Sequence, residues 1–354
     1  MTSWEETTYE KALWSKFKAQ EKRDLQHTWN QIKDFLIPHV LEEIKATEPN
    51  LTDHGPRHIA NVLENAYHLL HDQTGQVSQN RSQMKFFDCL TNYNAYVLGV
   101  AIMFHDVGNI FERNKHNQRI EEIFTTAFTT YQLDEELRSL VASVAGAHTA
   151  GSNANGNSID SIYKVDQRQM WKNHAIAAQQ LAAILRLSDE LAEGIQRASI
   201  LRLRHDLPFS DNSRISEDSE IYHHYARCVR INIDRSGQRI LADLYIDLKQ
   251  IDKLERTKLL TAILDTYWRR IHVLNQERKY ASYYCSFLEP FKRVSAGIRF
   301  YIGGAPVDLT IPPLILDDLI VPQKSTEVPT FKGREDLRST TIVKNILSHT
   351  GDCS

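Results

Sequence analysis

Apolar residues recur at helical intervals over the first part of the chain. Between Tyr9 and Ile44, the residues Leu13, Phe17, Leu25, Trp29, Ile32, Phe35 and Leu36 predict one or two amphipathic helices, with Pro38 and Pro49 bracketing their end. Leu51-Thr52-Asp53 reads as a loop into a new helix, about His54 to His71, that carries Ile59, Val62, Leu63, Ala66, Leu69 and Leu70 on one broad face. Gly75 to Ser82 is a polar connector, followed by a helical pair running to Val107. Two more helices are expected near Asn117 to Thr130 and Asp134 to Ala147. Gly151 to Ser158 reads as a flexible polar loop. His174 to Glu193 then resumes the helical period through Ala178, Leu181, Ile184, Leu185 and Leu187, and no strand is expected before residue 195.

After residue 198 the period changes. Val229, Ile231 and Ile233 alternate with polar neighbours, as do Leu244, Ile246 and Leu248, with the turn signal Arg235-Ser236-Gly237 between them, which predicts a β-hairpin. Ile251 to Tyr284 reads as a long helix, and Arg299 to Ile302, Gly303-Gly304 and Val307 to Leu309 as a short second hairpin. The expected fold is mainly α: a helical core followed by an α+β elaboration or second domain. The corresponding divisions are an N-terminal helical extension over 1–50, the core over 51–195, an accessory domain over 196–322, and a polar tail over 323–354 whose composition resembles that of disordered segments.

Composition narrows the class. A chain of 354 residues is long enough to bury a core without metals or disulfides, so a metal cluster in it points to catalysis. The formal charge of −3 gives no global pull toward nucleic acid or anionic membrane. Cys89, Cys228, Cys285 and Cys353 are too few and too scattered for a disulfide framework or a thiolate zinc site, which favours reduced thiols and a cytoplasmic location. The acidic start of the chain does not read as a secretory signal, and no run of eighteen apolar residues is present. The most apolar stretch, Tyr96 to Phe104, fits a buried helix.

Imidazoles and carboxylates fall in five places: His54-Gly-Pro-Arg-His58, His105-Asp106, His116, His148 and Asp189. His54 and His58 are spaced to share a helix face, although Gly55-Pro56 leaves His54 partly in the preceding loop. Asp189 lies among apolar neighbours, where a carboxylate is costly to bury unless a cation meets it. Any one of these is weak, because a helical histidine or an isolated His-Asp pair is usually structural. Their order within one helical unit is what favours a metal site. Nitrogen and carboxylate donors without thiolate suit Mn²⁺, Fe²⁺, Ni²⁺, Co²⁺ or Zn²⁺. Six donors exceed what one ion takes if water is also to bind, and two ions bridged by Asp106 would use them economically.

The order His58, His105-Asp106, Asp189 resembles the HD superfamily of metal-dependent phosphohydrolases, whose pattern is H, HD, D on a helical core. His54-Gly-Pro-Arg-His58-Ile-Ala-Asn-Val62, Ala101-Ile-Met-Phe-His105-Asp106-Val-Gly108 and Leu185-Arg-Leu-Ser-Asp189-Glu-Leu191 carry the likeness. It spans about residues 50 to 195. His116 and His148 match the extra histidines of the two-metal branch. The chain departs from the family at Asn109, where signalling members often have lysine. His148-Thr-Ala-Gly151 also stands without the Gly-Tyr-Pro word of the cyclic dinucleotide phosphodiesterases. The second domain is similar to regions that follow HD domains in bacterial conflict-related proteins, some fused to chaperone-like ATPases. This chain itself has neither a P-loop nor a dinucleotide-binding glycine motif.

The resemblance implies hydrolysis of a phosphate ester or anhydride by metal-activated water, with one or two divalent ions (Mn, Fe, Ni, Co, Zn or Mg). His58, His105, Asp106 and Asp189 would hold the first ion, and His116 and His148 mainly the second, with Asp106 bridging them and orienting the water. His54 would be a supporting group or a donor to substrate. Arg57, Lys115 and Arg186, each near a ligand in sequence, are candidate phosphate contacts against the blander reading of structural cations. The expected substrate is a nucleotide or small phosphorylated molecule. A single-strand nuclease is the alternative: His205, His223, His224, Arg202, Arg204, Arg227 and Arg230 hint at a basic second domain, countered by Asp206, Asp211, Glu217, Asp218 and Glu220. Two further alternatives are a nucleotide-sensing module with a non-catalytic metal site and, more remotely, a di-iron oxygenase. A homo-oligomer formed through the long helix stays open, and no membrane partner is expected.

Overall fold

The computed structural model describes residues 5–47, 54–71, 90–111, 116–131, 134–149, 159–198, 217–317 and 333–351. The chain divides into two compact units. The first comprises residues 1–49, 53–192 and 277–290, and the second 50–52, 193–276 and 291–354.

The first unit begins with α1 (Thr8–Trp14), capped by a reciprocal pair of bonds between Thr7 and Glu10. The buried Glu10 carboxylate also accepts from Trp29 Nε1 and Lys33 Nζ, each at 2.8 Å, which pins α1 to α2 (Ala19–Leu36). A helix end expected at Pro38 does not occur. Ile37–Leu41 continue as a π-helical turn into α3 (Glu42–Thr47), the wider turn accommodating a residue with no N–H to donate.

Helix α4 (Pro56–Leu70) buries the predicted face, Ile59, Val62, Leu63, Ala66, Leu69 and Leu70, and His58 lies one turn before Val62 on that same face. Helix α5 (Asn92–Phe104) is buried continuously from Asn94 to Phe104. Next come α6 (Ile120–Tyr131), α7 (Glu135–Gly146) and α8 (Ile159–Tyr163). A short antiparallel hairpin, β1 (Gln169–Trp171) and β2 (His174–Ile176), then leads into α9 (Ala178–Glu190).

That hairpin corrects the all-helical expectation for this region, and His174 opens a strand where a helix start was expected. Lys172 and Asn173 both have positive φ, 49° and 62°, the backbone of a two-residue hairpin turn, and they adopt it without the glycine that ordinarily signals one. Trp171 stacks on Tyr96, and Trp14 and Trp29 pack around the same ring. Helix α5 packs on α7 and α9, α4 on α9, and α6 on α7, and the histidines and aspartates lie at or near the ends of these helices.

The second unit holds α10 (Glu217–Cys228) and the hairpin β3 (Val229–Asp234) and β4 (Arg239–Asp247), with Val229 opposite Leu244. Helix α11 (Arg256–Tyr284) follows, its residues up to Gln276 in this unit and those from Glu277 in the first. β5 (Arg293–Ile302) then lies parallel to β4, with Ile240 opposite Val294. The expected second hairpin is reduced to β6 (Ala305–Pro306), while β7 (Leu314–Leu316) pairs antiparallel with β5 on residues 294–296. Ile240, Ala242, Leu244 and Ile246 alternate into the core with Val294, Ala296, Ile298 and Phe300. Helix α11 buries Leu260, Ile263, Leu264, Tyr267 and Trp268, and the Tyr267 hydroxyl lies 2.7 Å from the Ala242 carbonyl.

Within the segment expected as a polar tail, α12 (Ser339–Thr350) forms and buries Ile342, Val343 and Ile346. Among the described residues no helix is long and apolar enough to cross a membrane. Cys228 and Cys285 are buried and form no disulfide. The expectations placed on Pro49, Leu51-Thr52-Asp53, Gly75 to Ser82, Cys89, Lys115, Gly151 to Ser158, Arg202, Arg204, His205, Asp206, Asp211, Pro322 and Cys353 lie outside the described residues.

Candidate metal centre

The His-Asp pair serves one centre because the helix stops beneath it. Helix α5 ends at Phe104 with His105 as its cap, and Asp106 takes φ −105° and ψ 0°, outside regular helix, before a 3₁₀ turn over Val107–Ile110. Consecutive side chains can therefore converge without the 100° separation of a continuing helix. Gly108 lies directly under the His116 carbonyl, where a Cβ would overlap the oxygen. That close approach brings His116, in a 3₁₀ turn ahead of α6, back to the His-Asp pair. His148 follows the end of α7, Asp189 sits in the last turn of α9, and His54 precedes the glycine that caps α4.

The two oxygens of Asp106 face different groups. Oδ2 lies 2.8 Å from His54 Nδ1, 3.3 Å from His58 Nε2 and 3.2 Å from His105 Nε2. Oδ1 lies 3.5 Å from His116 Nε2 and 3.6 Å from His148 Nε2. Asp189 Oδ1 closes the first group at 3.1 Å from His58 Nε2 and 3.6 Å from His105 Nε2. His58, His105 and His148 are buried, whereas the side chains of His54, His116 and Asp189 are 16%, 15% and 24% exposed, so solvent reaches the centre along those three.

Hydrogen bonding turns the ring nitrogens toward an ion. His105 Nδ1 donates to the Ile102 carbonyl at 2.7 Å, and His148 Nδ1 donates to the Ala145 carbonyl at 2.6 Å. With Nδ1 committed to a backbone carbonyl, Nε2 is the nitrogen that each ring turns to the interior. His58 Nε2 and His105 Nε2 are only 3.3 Å apart, and His116 Nε2 and His148 Nε2 3.0 Å. Facing lone pairs at such distances repel unless a cation or a proton lies between them.

The carboxylates are held ready as anions. Burial opposes the charge on Asp106, but His105 and His54 outweigh it and hold the carboxyl well below the usual carboxylate range. Burial likewise opposes the charge on Asp189, and His105 and His58 hold that group low. His148 is lowered as well: burial, with His105 and His116 nearby, pushes it below the usual histidine range and so favours the neutral imidazole. Ionised carboxylates and a neutral His148 are the protonation states that bind a divalent ion, whereas at His105 the charges of Asp106 and Asp189 outweigh burial and push the imidazole up, so an ion taken up there displaces its Nε2 proton. These His/Asp clusters, His54 with His58 and Asp106, His58 with His105 and Asp189, and His105 with Asp106 and His148, can chelate one or two divalent ions.

Thus His54, His58, His105, Asp106, His116, His148 and Asp189 meet at one place. Arg57 does not share that burial and lies on the exposed side of α4. Arg186 is buried, with its guanidinium in a two-point ion pair with Glu277. Three residues have supporting roles that the sequence reading did not assign. Asn109 Nδ2 donates to Asp106 Oδ1 at 3.1 Å, and Asn65 Nδ2 donates to the Ser188 carbonyl at 3.0 Å beside Asp189. Glu277 is the third. Asn109 had a local signal, one helical turn after Asp106, whereas Glu277 has none, being 91 residues from its partner.

The model of the HD-CE family matches residues 48–274, more than half of the chain. No curated protein and no solved structure matches it. With the H, HD, D residues assembled around the carboxylates of Asp106 and Asp189, the chain belongs to the HD-CE family and is a metal-dependent phosphohydrolase of the HD superfamily.

Proposed function

We propose that the protein hydrolyses the phosphate ester or anhydride of a nucleotide or another small phosphorylated molecule, using two divalent ions that share Asp106. The observation that supports this is the division of the Asp106 carboxylate, with His58 and His105 around Oδ2, Asp189 reaching those same two rings, and His116 and His148 around Oδ1. The ions, when bound, lower the pKa of water and neutralise charge on the phosphoryl oxygens.

The chain's own residues supply position and protons. Asp106 fixes the line along which water approaches. His54, held by the 2.8 Å bond from Nδ1 to Asp106 Oδ2 and partly exposed, delivers a proton from Nε2 to the leaving oxygen and recovers it from solvent. A terminal phosphoryl group on a small molecule reaches a carboxylate that is only 5% exposed more readily than the interior of a polymer does. Manganese suits the all-nitrogen-and-oxygen donor set, as do iron, cobalt and nickel.

Phosphate release from a panel of nucleotides, cyclic nucleotides, simple phosphomonoesters and single-stranded oligomers, each with Mn²⁺, Co²⁺, Ni²⁺ or Mg²⁺, tests the proposal. Turnover is expected with small phosphorylated substrates. Asp106→Ala is expected to reduce turnover to background and lower metal content while far-UV helicity stays intact. Cleavage confined to the oligomers would replace the small-molecule reading with the nuclease one, and wild-type turnover by Asp106→Ala would remove the centre from the reaction.

A further inference from the structure

Arg186 is 4% exposed on α9, three residues before Asp189. Its Nε and Nη2 donate to the two oxygens of Glu277 at 2.5 and 2.9 Å, a fork-on-fork geometry that fixes the plane of the guanidinium. On the other edge, Nη1 donates to Ser161 Oγ at 2.7 Å and lies 3.5 Å from the Ala147 carbonyl and 3.4 Å from the Thr149 carbonyl. Those two carbonyls flank His148. Ser161 Oγ donates to the same Ala147 carbonyl at 3.2 Å, and the Tyr280 ring lies 5.1 Å below the guanidinium carbon.

From these contacts we infer that Arg186 is a positioning residue for His148, with Glu277 as the counter-charge that keeps it in place. The peptide carrying His148 follows the end of α7, where carbonyls lose their helical partners. Arg186 meets the carbonyl of the cap residue Ala147 and that of Thr149 beyond it, one on each side of His148, while His148 Nδ1 takes up the Ala145 carbonyl one turn back. The ring is thereby fixed with Nε2 toward Asp106 Oδ1 and His116 Nε2. A phosphate contact, the role considered for Arg186 from sequence, fits less well, because the carboxylate of Glu277 already neutralises the guanidinium.

This inference rests on the proposed role of His148 as a ligand of the ion on the Oδ1 side, so its test carries His148→Ala alongside. Mn²⁺ binding to the full chain is measured by calorimetric titration and by counting bound metal. Near-UV circular dichroism and the dependence of kcat on Mn²⁺ concentration are recorded for each variant. Wild type is expected to bind two ions and His148→Ala one. Glu277→Gln and Arg186→Lys are expected to stay folded, keep the tighter ion, and bind the second about tenfold more weakly, as loss of an outer-sphere partner does. Raising Mn²⁺ then restores their kcat.

Ser161→Ala, which keeps the ion pair and removes only the hydroxyl bridge, is expected to shift the same constant less, and it stands in if either charge variant fails to fold. Wild-type affinity for both ions in the folded variants, or a lower melting temperature with no change in the second constant, overturns the positioning role. A wild type that binds one ion, or a His148→Ala that keeps two, overturns the ligand reading beneath it.

Discussion

Asp106 and its neighbours act through individual atoms, and single substitutions separate their roles. His54 is held to Asp106 Oδ2 and partly exposed, so His54→Ala is expected to lower kcat by about 10²- to 10⁴-fold, the usual worth of a positioned proton donor, with metal content unchanged. Loss of metal in that variant would make His54 a ligand. Gly108 tests geometry and not chemistry. A methyl group there collides with the His116 carbonyl, so Gly108→Ala is expected to displace His116 and weaken binding of one Mn²⁺ by about 10- to 100-fold, with the other ion retained. Equal weakening of both ions would show that Gly108 shapes the whole centre. In the sequence Gly108 stood out only as the last residue of the Ala101 to Gly108 word that carries the family likeness. The reason, a backbone carbonyl lying eight residues further on, is a tertiary fact.

Periodicity carried most of the helical elements, because each has a broad apolar face and a buried side to put it on. The stripe through Val62 and Ala66 located α4, and the same stripe carried His58 to the core. Where elements depend on distant partners the sequence was mute. β5 lies parallel to β4 across the length of α11, a pairing that no local signal announces, and the Lys172-Asn173 turn takes its positive φ angles without glycine. The candidate ligands were legible because their types and order are unusual in a helical unit, whereas Glu277, Ser161 and Asn65 act through bonds to distant backbone or side chains.

The β3–β4 turn, expected at Arg235-Ser236-Gly237, is secured by Asp234, which accepts from Gly237 N, Arg239 Nε and Ser236 Oγ, each at 2.8 Å. These bonds lower the Asp234 pKa to about 2, so the turn is stabilised above the unfolded pKa of about 4 and loses that contribution as pH falls toward 2. Asp234→Asn is therefore expected to melt below wild type at pH 7, with the gap narrowing below about pH 4. A gap independent of pH would assign the loss to something other than the carboxylate charge.

For the molecule as a whole, metal is expected to act as a structural ligand as well as a catalytic one. An ion that binds only the folded state at about a hundred times its Kd adds about 2.7 kcal/mol. Treatment with a chelator is therefore expected to lower the melting temperature by about 5 °C, and excess Mn²⁺ to restore it. An unchanged midpoint would mean that the centre is as stable empty as filled.

The chain also leaves the first unit after Ala192 and re-enters it at Glu277. On the ribosome, Arg186 is made 91 residues ahead of the carboxylate that neutralises it, an interval of about 5 to 20 s at ordinary rates of synthesis. Until Glu277 emerges, the nascent helical core holds an arginine without its counter-ion, so completion of that core waits on translation of a sequence that lies beyond the H, HD, D pattern itself.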